Sequence, residues 1–163
     1  MNQTKQIIIY TDGACTGNPG AGGYGAVLID GAERKEISGG YKLTTNNRME
    51  MMAAIAALKS LETRSNVTLH SDSKYIVDAV NQGWAKRWQA NGWKRNKKEI
   101  AKNPDLWQEL LDLCQKHEVD LVWVKGHAGI PENERCDAIA VAAAQQPNLP
   151  PDEGYLKGGH DEG

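Results

Sequence analysis

Four β-prone residues, Ile7-Ile8-Ile9-Tyr10, run straight into Thr11-Asp12-Gly13. An apolar run of that kind reads as a buried strand. Tyr24 to Ile29 predicts a second strand, and Asp30-Gly31 a tight hairpin. Glu33 to Tyr41 alternates as a third strand, with Lys35, Ile37, Gly39 and Tyr41 on one side. The chain is then apolar nearly all round from Met49 to about Leu61, the pattern of a buried helix. Asn47 and Glu50 at its start have capping-box spacing. Asn66 to Asp72 reads as a fourth strand, and Ser73 opens a helix that Asn81-Gln82-Gly83 ends. Asn103-Pro104-Asp105 is a strong helix start, and that helix runs to about His117. Val119 to Lys125 is a fifth strand, and Pro131 opens the last helix. The pattern is therefore α/β, with an antiparallel meander first and alternating strands and helices after it. From Pro147 to Gly163 the density of Pro and Gly predicts a flexible tail, so residues 1–146 form the single domain.

Four carboxylates sit awkwardly in this pattern. Asp12 interrupts an apolar strand, which is costly unless a cation pairs with it. Asp72 could be a plain helix N-cap, yet like Asp12 it ends an apolar strand, where ligands of α/β sheets gather. Glu50 shares a helix face with Ala53, Ala54 and Ala57, small residues that permit close approach to a sheet. Its other reading is a charge near the positive end of a helix. Glu134 and Asp137 are i,i+3 neighbours on the last helix, an acid pair that a cation would offset. All-carboxylate sites suit hard cations such as Mg²⁺ or Mn²⁺, and no His/Cys cluster suggests zinc. Two such ions assist phosphodiester cleavage. The stretch from Gly13 to Gly25 contains Gly-Asn-Pro-Gly but no GK[ST] ending, so it reads as a wide hairpin turn with Asn18 as a possible contact.

Composition adds a partner. The 163 residues are 40% hydrophobic and 25% charged, with a net charge of −2. That is a globular composition, and no apolar run approaches the ~20 residues of a membrane span. The first residues lack a signal-peptide core, and three scattered cysteines suit a reducing cytoplasm. The charge is unevenly spread. Lys86, Arg87, Lys94, Arg95, Lys97 and Lys98 fall in one acid-free stretch, interleaved with Trp84, Trp88 and Trp93. Cations with flat aromatic faces suit a nucleic-acid backbone, although Trp residues also anchor a protruding helix to a core. Neutralising Lys94, Arg95, Lys97 and Lys98 is expected to raise KM far more than it lowers kcat.

Several separate motifs resemble bacterial type 1 ribonuclease H. They are Tyr10-Thr11-Asp12-Gly13-Ala14-Cys15-Thr16-Gly17-Asn18-Pro19-Gly20, Thr44-Thr45-Asn46-Asn47-Arg48-Met49-Glu50, Ser71-Asp72-Ser73, and Trp123-Val124-Lys125-Gly126-His127 with Asn133-Glu134-Arg135-Cys136-Asp137. The likeness runs in order from about residue 6 to 146. It implies a five-stranded mixed sheet flanked by helices, and endonucleolytic cleavage of RNA in an RNA–DNA hybrid that leaves 5′-phosphate and 3′-hydroxyl ends. It implies Asp12, Glu50, Asp72 and Asp137 as ligands of Mg²⁺, with Mn²⁺ able to substitute. His127 corresponds to a loop histidine that moves protons or helps product leave, and Glu134 to an acid behind the ligands. Asn18, Thr45 and Asn46 match positions that hold a DNA-strand phosphate, and Cys15 and Asn47 positions that line the groove. The basic stretch resembles the family's protrusion, with Trp84 and Trp107 as channel residues. Selectivity is expected from contacts to 2′-hydroxyls on one strand and from groove shape on the other. The implied protein is a monomer with no membrane or protein partner. Leu43 departs from the pattern, since an Arg often precedes the Thr pair. A DNA exonuclease, resolvase or transposase core on the same fold is one rival reading. A non-catalytic hybrid-binding module is another.

Overall fold

The computed structural model describes residues 5–97 and 99–158. Five strands form one mixed sheet: β1 (Lys5–Thr16), β2 (Gly20–Asp30), β3 (Glu33–Thr44), β4 (Ser65–Ser71) and β5 (Glu118–Trp123), in the order β3-β2-β1-β4-β5. β1 is central. It pairs antiparallel with β2 and parallel with β4, and β5 continues the parallel half. The helices are α1 (Asn46–Lys59), α2 (Lys74–Asn81), α3 (Trp84–Ala90), α4 (Pro104–Lys116), α5 (Pro131–Ala144) and α6 (Glu153–Gly158).

The expected meander is present, but β1 is longer than its apolar run suggests. It continues through Asp12 to Thr16, and only Gly17–Pro19 turn, with a cis Asn18–Pro19 bond. The glycines predicted as a wide turn are therefore mostly strand. Gly22, Gly23 and Gly25 pair with Cys15, Ala14 and Asp12. Their missing side chains let helices press on the sheet. A Cβ on Gly25 would lie 2.8 Å from Cys136 O of α5, and one on Gly13 would lie 2.5 Å from Glu50 N of α1. Alternation then sorts the faces. Ile7, Ile9, Val67, Leu69 and Leu121 point into a core shared with Ile55 and Leu58 of α1 and Leu110 of α4.

Two local readings change. The N-cap of α1 is Thr45, whose hydroxyl accepts from Arg48 N at 3.3 Å, not Asn47. Glu50 is thereby released from capping. Ser73, not Asp72, caps α2, accepting from Ile76 N at 3.3 Å.

The segment expected to hang free is tied down from Pro150 to Tyr155. Lys42 N donates to Pro150 O at 2.9 Å, and Asp152 and Tyr155 are buried. Asp152 receives two bonds from the fully buried Arg48 guanidinium, from Nε at 2.7 Å and Nη2 at 3.0 Å. Composition predicts mobility there because it cannot reveal a partner 104 residues away. Among the described residues, no helix is long and apolar enough to cross a membrane.

Candidate metal centre and nucleic-acid surface

The site forms where three elements converge on the far end of β1. Asp12 lies on the face of β1 that shares Gly25 and Gly23 with α5. Glu50 arrives on α1, which comes close only because Gly13 has no side chain. Asp72 follows β4, one strand over. One carboxylate oxygen from each of these three lies within 4.8 Å of the others. Asp137 on α5 and His127 in the loop after β5 line the same cleft of about 440 Å³. The structure thus brings together all four sequence-predicted carboxylates and the loop histidine, with Asp137 outside the tight trio.

The electrostatics are unfavourable as built. Gly13 N donates to Asp12 Oδ1 at 2.8 Å and to Glu50 Oε1 at 2.6 Å, so one N–H serves two carboxylates. Glu50 Oε2 is buried with no hydrogen-bond partner among the described residues. Burial pushes Asp12 up to about 7, with the neighbouring Asp72 and Asp137 charges adding to it. Burial, then the hydrogen bond and charge of Asp12, push Glu50 well above the usual carboxylate range. Clustered acids that cannot all ionise alone are what a bound cation resolves. The donor set is all oxygen, and the orphaned Glu50 oxygen gives a cation an unused ligand atom, so the residues fit a hard divalent ion.

The substrate-contact residues divide. Asn18 and Asn46 are exposed and joined, with Asn46 N donating to Asn18 Oδ1 at 3.0 Å. Cys15 and Asn47 line the carboxylate cleft. Thr45 is fully buried and spends its hydroxyl as the helix cap, so it shapes this corner from beneath. Trp107 is also fully buried, edge-on to Tyr75 and Trp88, so the channel role is corrected to a core role. Sequence alone does not separate the buried Trp107 from the half-buried Trp84, since both lie in helices. Lys86, Arg87, Lys94, Arg95 and Lys97 are exposed on α3 and the following loop, and Lys98 lies outside the described residues. Trp84 and Trp93 are half-buried and anchor this arm on the core, while the Arg95 guanidinium sits 5.8 Å from the Trp88 ring. Glu134 is exposed and outside the cleft lining. Leu43 is 39% exposed, so no charge stands where the resemblance suggests an Arg.

Arg48 was missed by sequence reasoning. A basic residue inside an apolar helix three residues after a cap is a visible signal, but its partners, Asp105 and Asp152, are far away in the chain.

Comparison with known proteins agrees with this geometry. Residues 4–145 match the family model described as RNase H. A ribonuclease H of Rippkaea orientalis is 67% identical, over 95% of this chain and 96% of its own length. A ribonuclease HI of Synechocystis is 62% identical, over 94% and 96%. LC9-RNase H1, a type 1 enzyme with the type 2 active-site motif, superposes with a TM-score of 0.79 at 34% identity, over 88% of this chain and 74% of that one. LC11-RNase H1, solved with an RNA/DNA hybrid, superposes with a TM-score of 0.65 at 26% identity, over 85% and 96%. With a family match over nearly the whole sheet and helices, and near-full-length relatives above 60% identity, the chain belongs to the ribonuclease H family.

Proposed function

We propose that this chain is an endonuclease that hydrolyses the RNA strand of RNA–DNA hybrids, leaving 5′-phosphate and 3′-hydroxyl ends. The observation that carries this reading is the Asp12–Glu50–Asp72 cluster, short of donors and open to a cleft, on a chain that also presents an exposed basic arm. Asp12, Glu50, Asp72 and Asp137 would hold Mg²⁺, with Mn²⁺ as a substitute. When bound, the ion neutralises the carboxylates and supplies charge stabilisation for attack on a phosphodiester. In the hydrolysis a water oxygen bonds to phosphorus, the P–O3′ bond breaks, and the proton that the water gives up goes to the leaving 3′-oxygen. His127, exposed in a loop at the cleft and held at φ 56°, is placed to pass that proton or to escort product out. Glu134 acts at longer range, from the first turn of α5.

Asn18 and Asn46 hold a phosphate of the DNA strand, with Thr45 fixing their corner, and Cys15 and Asn47 meet the groove. The arm contributes cations to the hybrid's backbone. Its Trp84 is a half-buried face at the arm's root. Three free cysteines fit a reducing cytoplasm, and nothing in the reading requires a second subunit, so we place the enzyme there as a monomer.

The test uses a hybrid labelled on both strands, with and without Mg²⁺, beside double-stranded RNA, double-stranded DNA and single-stranded RNA. Internal cuts confined to the hybrid's RNA strand, and lost without metal, are the expected result. Cutting of DNA would replace this reading with a nuclease or resolvase. Tight binding without cutting in Mg²⁺ or Mn²⁺ would replace it with a binding module.

A further inference from the structure

One aromatic side chain near the carboxylates is not explained by the core. Trp123 ends β5 and is 46% exposed. Register places Thr11, Ser71 and Trp123 in one row across β1, β4 and β5, one residue before Asp12 and Asp72. Alternation puts Trp123 on the face of Val119 and Leu121, but the strand has run past the packed layer there. A core position would bury the ring, and a solvated position would favour a polar residue.

The ring is nevertheless fixed. Its Nε1–H donates to Asp72 O at 3.3 Å, which holds the indole beside a cluster carboxylate. Lys74, the first residue of α2, has its ammonium 5.8 Å from the ring centroid. Among the described residues Lys74 makes no ion pair, so its charge is free for a ligand. The loop that follows is pressed on the same carboxylate. A Cβ on Gly126 would lie 2.7 Å from Asp72 Oδ2. An anchored indole with open surface and a cation beside it match the two needs of a polynucleotide, a stacking face and a phosphate partner.

We propose that Trp123 and Lys74 form a ledge beside Asp72 that carries the strand being cut, the indole stacking on a base or ribose and the ammonium pairing with an adjacent phosphate. The ledge is separate from the arm of residues 84–97 and lies toward the β5 edge, away from Asn18 and Asn46. It rests on the hybrid-cleavage reading.

The test compares Trp123→Leu, Trp123→Phe and Lys74→Gln in the full chain. Steady-state cleavage gives kcat and KM. Hybrid affinity is measured by fluorescence anisotropy in an Asp12→Asn background. Trp123→Leu is expected to raise KM and Kd about tenfold, the scale of one lost stacking contact, with a much smaller change in kcat. Trp123→Phe keeps a ring without the N–H and is expected to recover most of that loss. Lys74→Gln is expected to weaken binding and to reduce the salt slope of log Kd by about one phosphate contact. Unchanged KM and Kd in Trp123→Leu and Lys74→Gln would overturn the ledge. So would Trp123→Phe behaving as badly as Trp123→Leu with a raised metal requirement, since the indole would then only orient Asp72. If Trp123→Leu melts early or loses helix signal, Lys74→Gln decides, because it leaves the indole bond in place. Failure of the unmodified protein to cut hybrid is read in its own lane and would overturn the parent reading instead.

Discussion

Arg48 and Glu50 stand two residues apart on α1, so they leave the helix on opposite sides. Both are buried, at 1% and 5% exposed. Each enters a cluster of charges, and the two clusters are built on opposite principles. Around Arg48 all five guanidinium N–H groups find acceptors. Nε and Nη2 reach Asp152, Nη1 and Nη2 reach Asp105, and Nη1 also reaches Asn103 Oδ1 at 3.1 Å. Asp152 additionally accepts from Thr44 Oγ1 at 2.7 Å. Around Glu50 three carboxylates have one N–H between two of them and an oxygen with nothing. The first cluster is completed by the chain and joins α1, α4 and the segment before α6. The second leaves an unused oxygen where an outside cation could bind. Satisfied buried charge holds a structure together, and unsatisfied buried charge marks where a ligand belongs.

The largest expected effect separates the two roles at one residue. Asp12→Asn removes a proposed metal ligand and also a charge that the carboxylate cluster holds poorly on its own. Hybrid cleavage is expected to fall about 10³-fold, the scale of losing several kcal/mol of charge stabilisation. Metal-free stability at pH 8 is expected to rise by about 2 kcal/mol, since the raised carboxyl no longer has to ionise in a buried site. Denaturant melts in chelator read the second quantity. A destabilised Asp12→Asn protein would mean that Asp12 is already well solvated or paired.

Arg48→Met should do the reverse. It strands Asp152, which is 5% exposed, without its cation. Breaking a buried pair by removing one partner costs about 3–5 kcal/mol. The expected result is a large drop in melting temperature, while cleavage per folded molecule at low temperature stays within a few-fold. If activity collapsed while stability held, the Arg48 cluster would belong to the catalytic machinery and the comparison would fail.

These two clusters also show what a sequence displays. The carboxylates were legible because each contradicts its local pattern. Asp12 breaks an apolar strand, Asp72 ends one, and Glu50 sits among alanines. The sheet was legible from its apolar runs, with boundaries blurred where glycines of β1 and β2 looked like turn chemistry but serve helix contact. The Arg48 cluster was not legible, because its partners are 57 and 104 residues away and each is ordinary in place. Asp105 looks like a first-turn acid, and Asp152 sits in a Pro/Gly-rich stretch. Burial was likewise hidden at Thr45 and Trp107, where the same residue types serve equally well at a surface.

Acidity gives a smaller effect of opposite sign in the two clusters. Burial raises Asp12 from 3.8 to about 7, so the folded protein holds a proton that the unfolded chain releases. That contribution is full below about pH 4 and is lost as pH rises to 7. Burial opposes ionisation of Asp105 too, but the hydrogen bonds and charge of Arg48 hold it below its ordinary value. Its contribution is present above about pH 4 and is lost as pH falls through its lowered value. The metal-free protein is therefore expected to melt higher at pH 5.5 than at pH 8, by about 1–2 kcal/mol in stability. Mg²⁺ is expected to narrow that gap, since it must displace the proton and binds more weakly at the lower pH. Calorimetry at the two pH values, with and without Mg²⁺, measures this. A melting temperature that rises with pH in the absence of metal would contradict the raised Asp12.

The smallest effect is expected where paired charge is exposed. Glu36 accepts from Arg34 at 2.9 Å and from Arg135 at 2.8 and 3.0 Å, and Glu132 joins through Arg34. These hydrogen bonds, from Arg135 first and then Arg34, hold Glu36 down at about 2. The bonding resembles that of Arg48, and it joins β3 to α5. Water, however, solvates each partner when the pair is broken, and salt screens what remains. Glu36→Gln should therefore leave the melting temperature nearly unchanged, where Asp152→Asn lowers it clearly. Both variants keep the side-chain size and remove one negative charge from an arginine network, so their difference isolates burial from pairing. Equal losses in the two variants would show that the number of bonds to arginine, and not their removal from water, sets the strength of the Arg48 cluster.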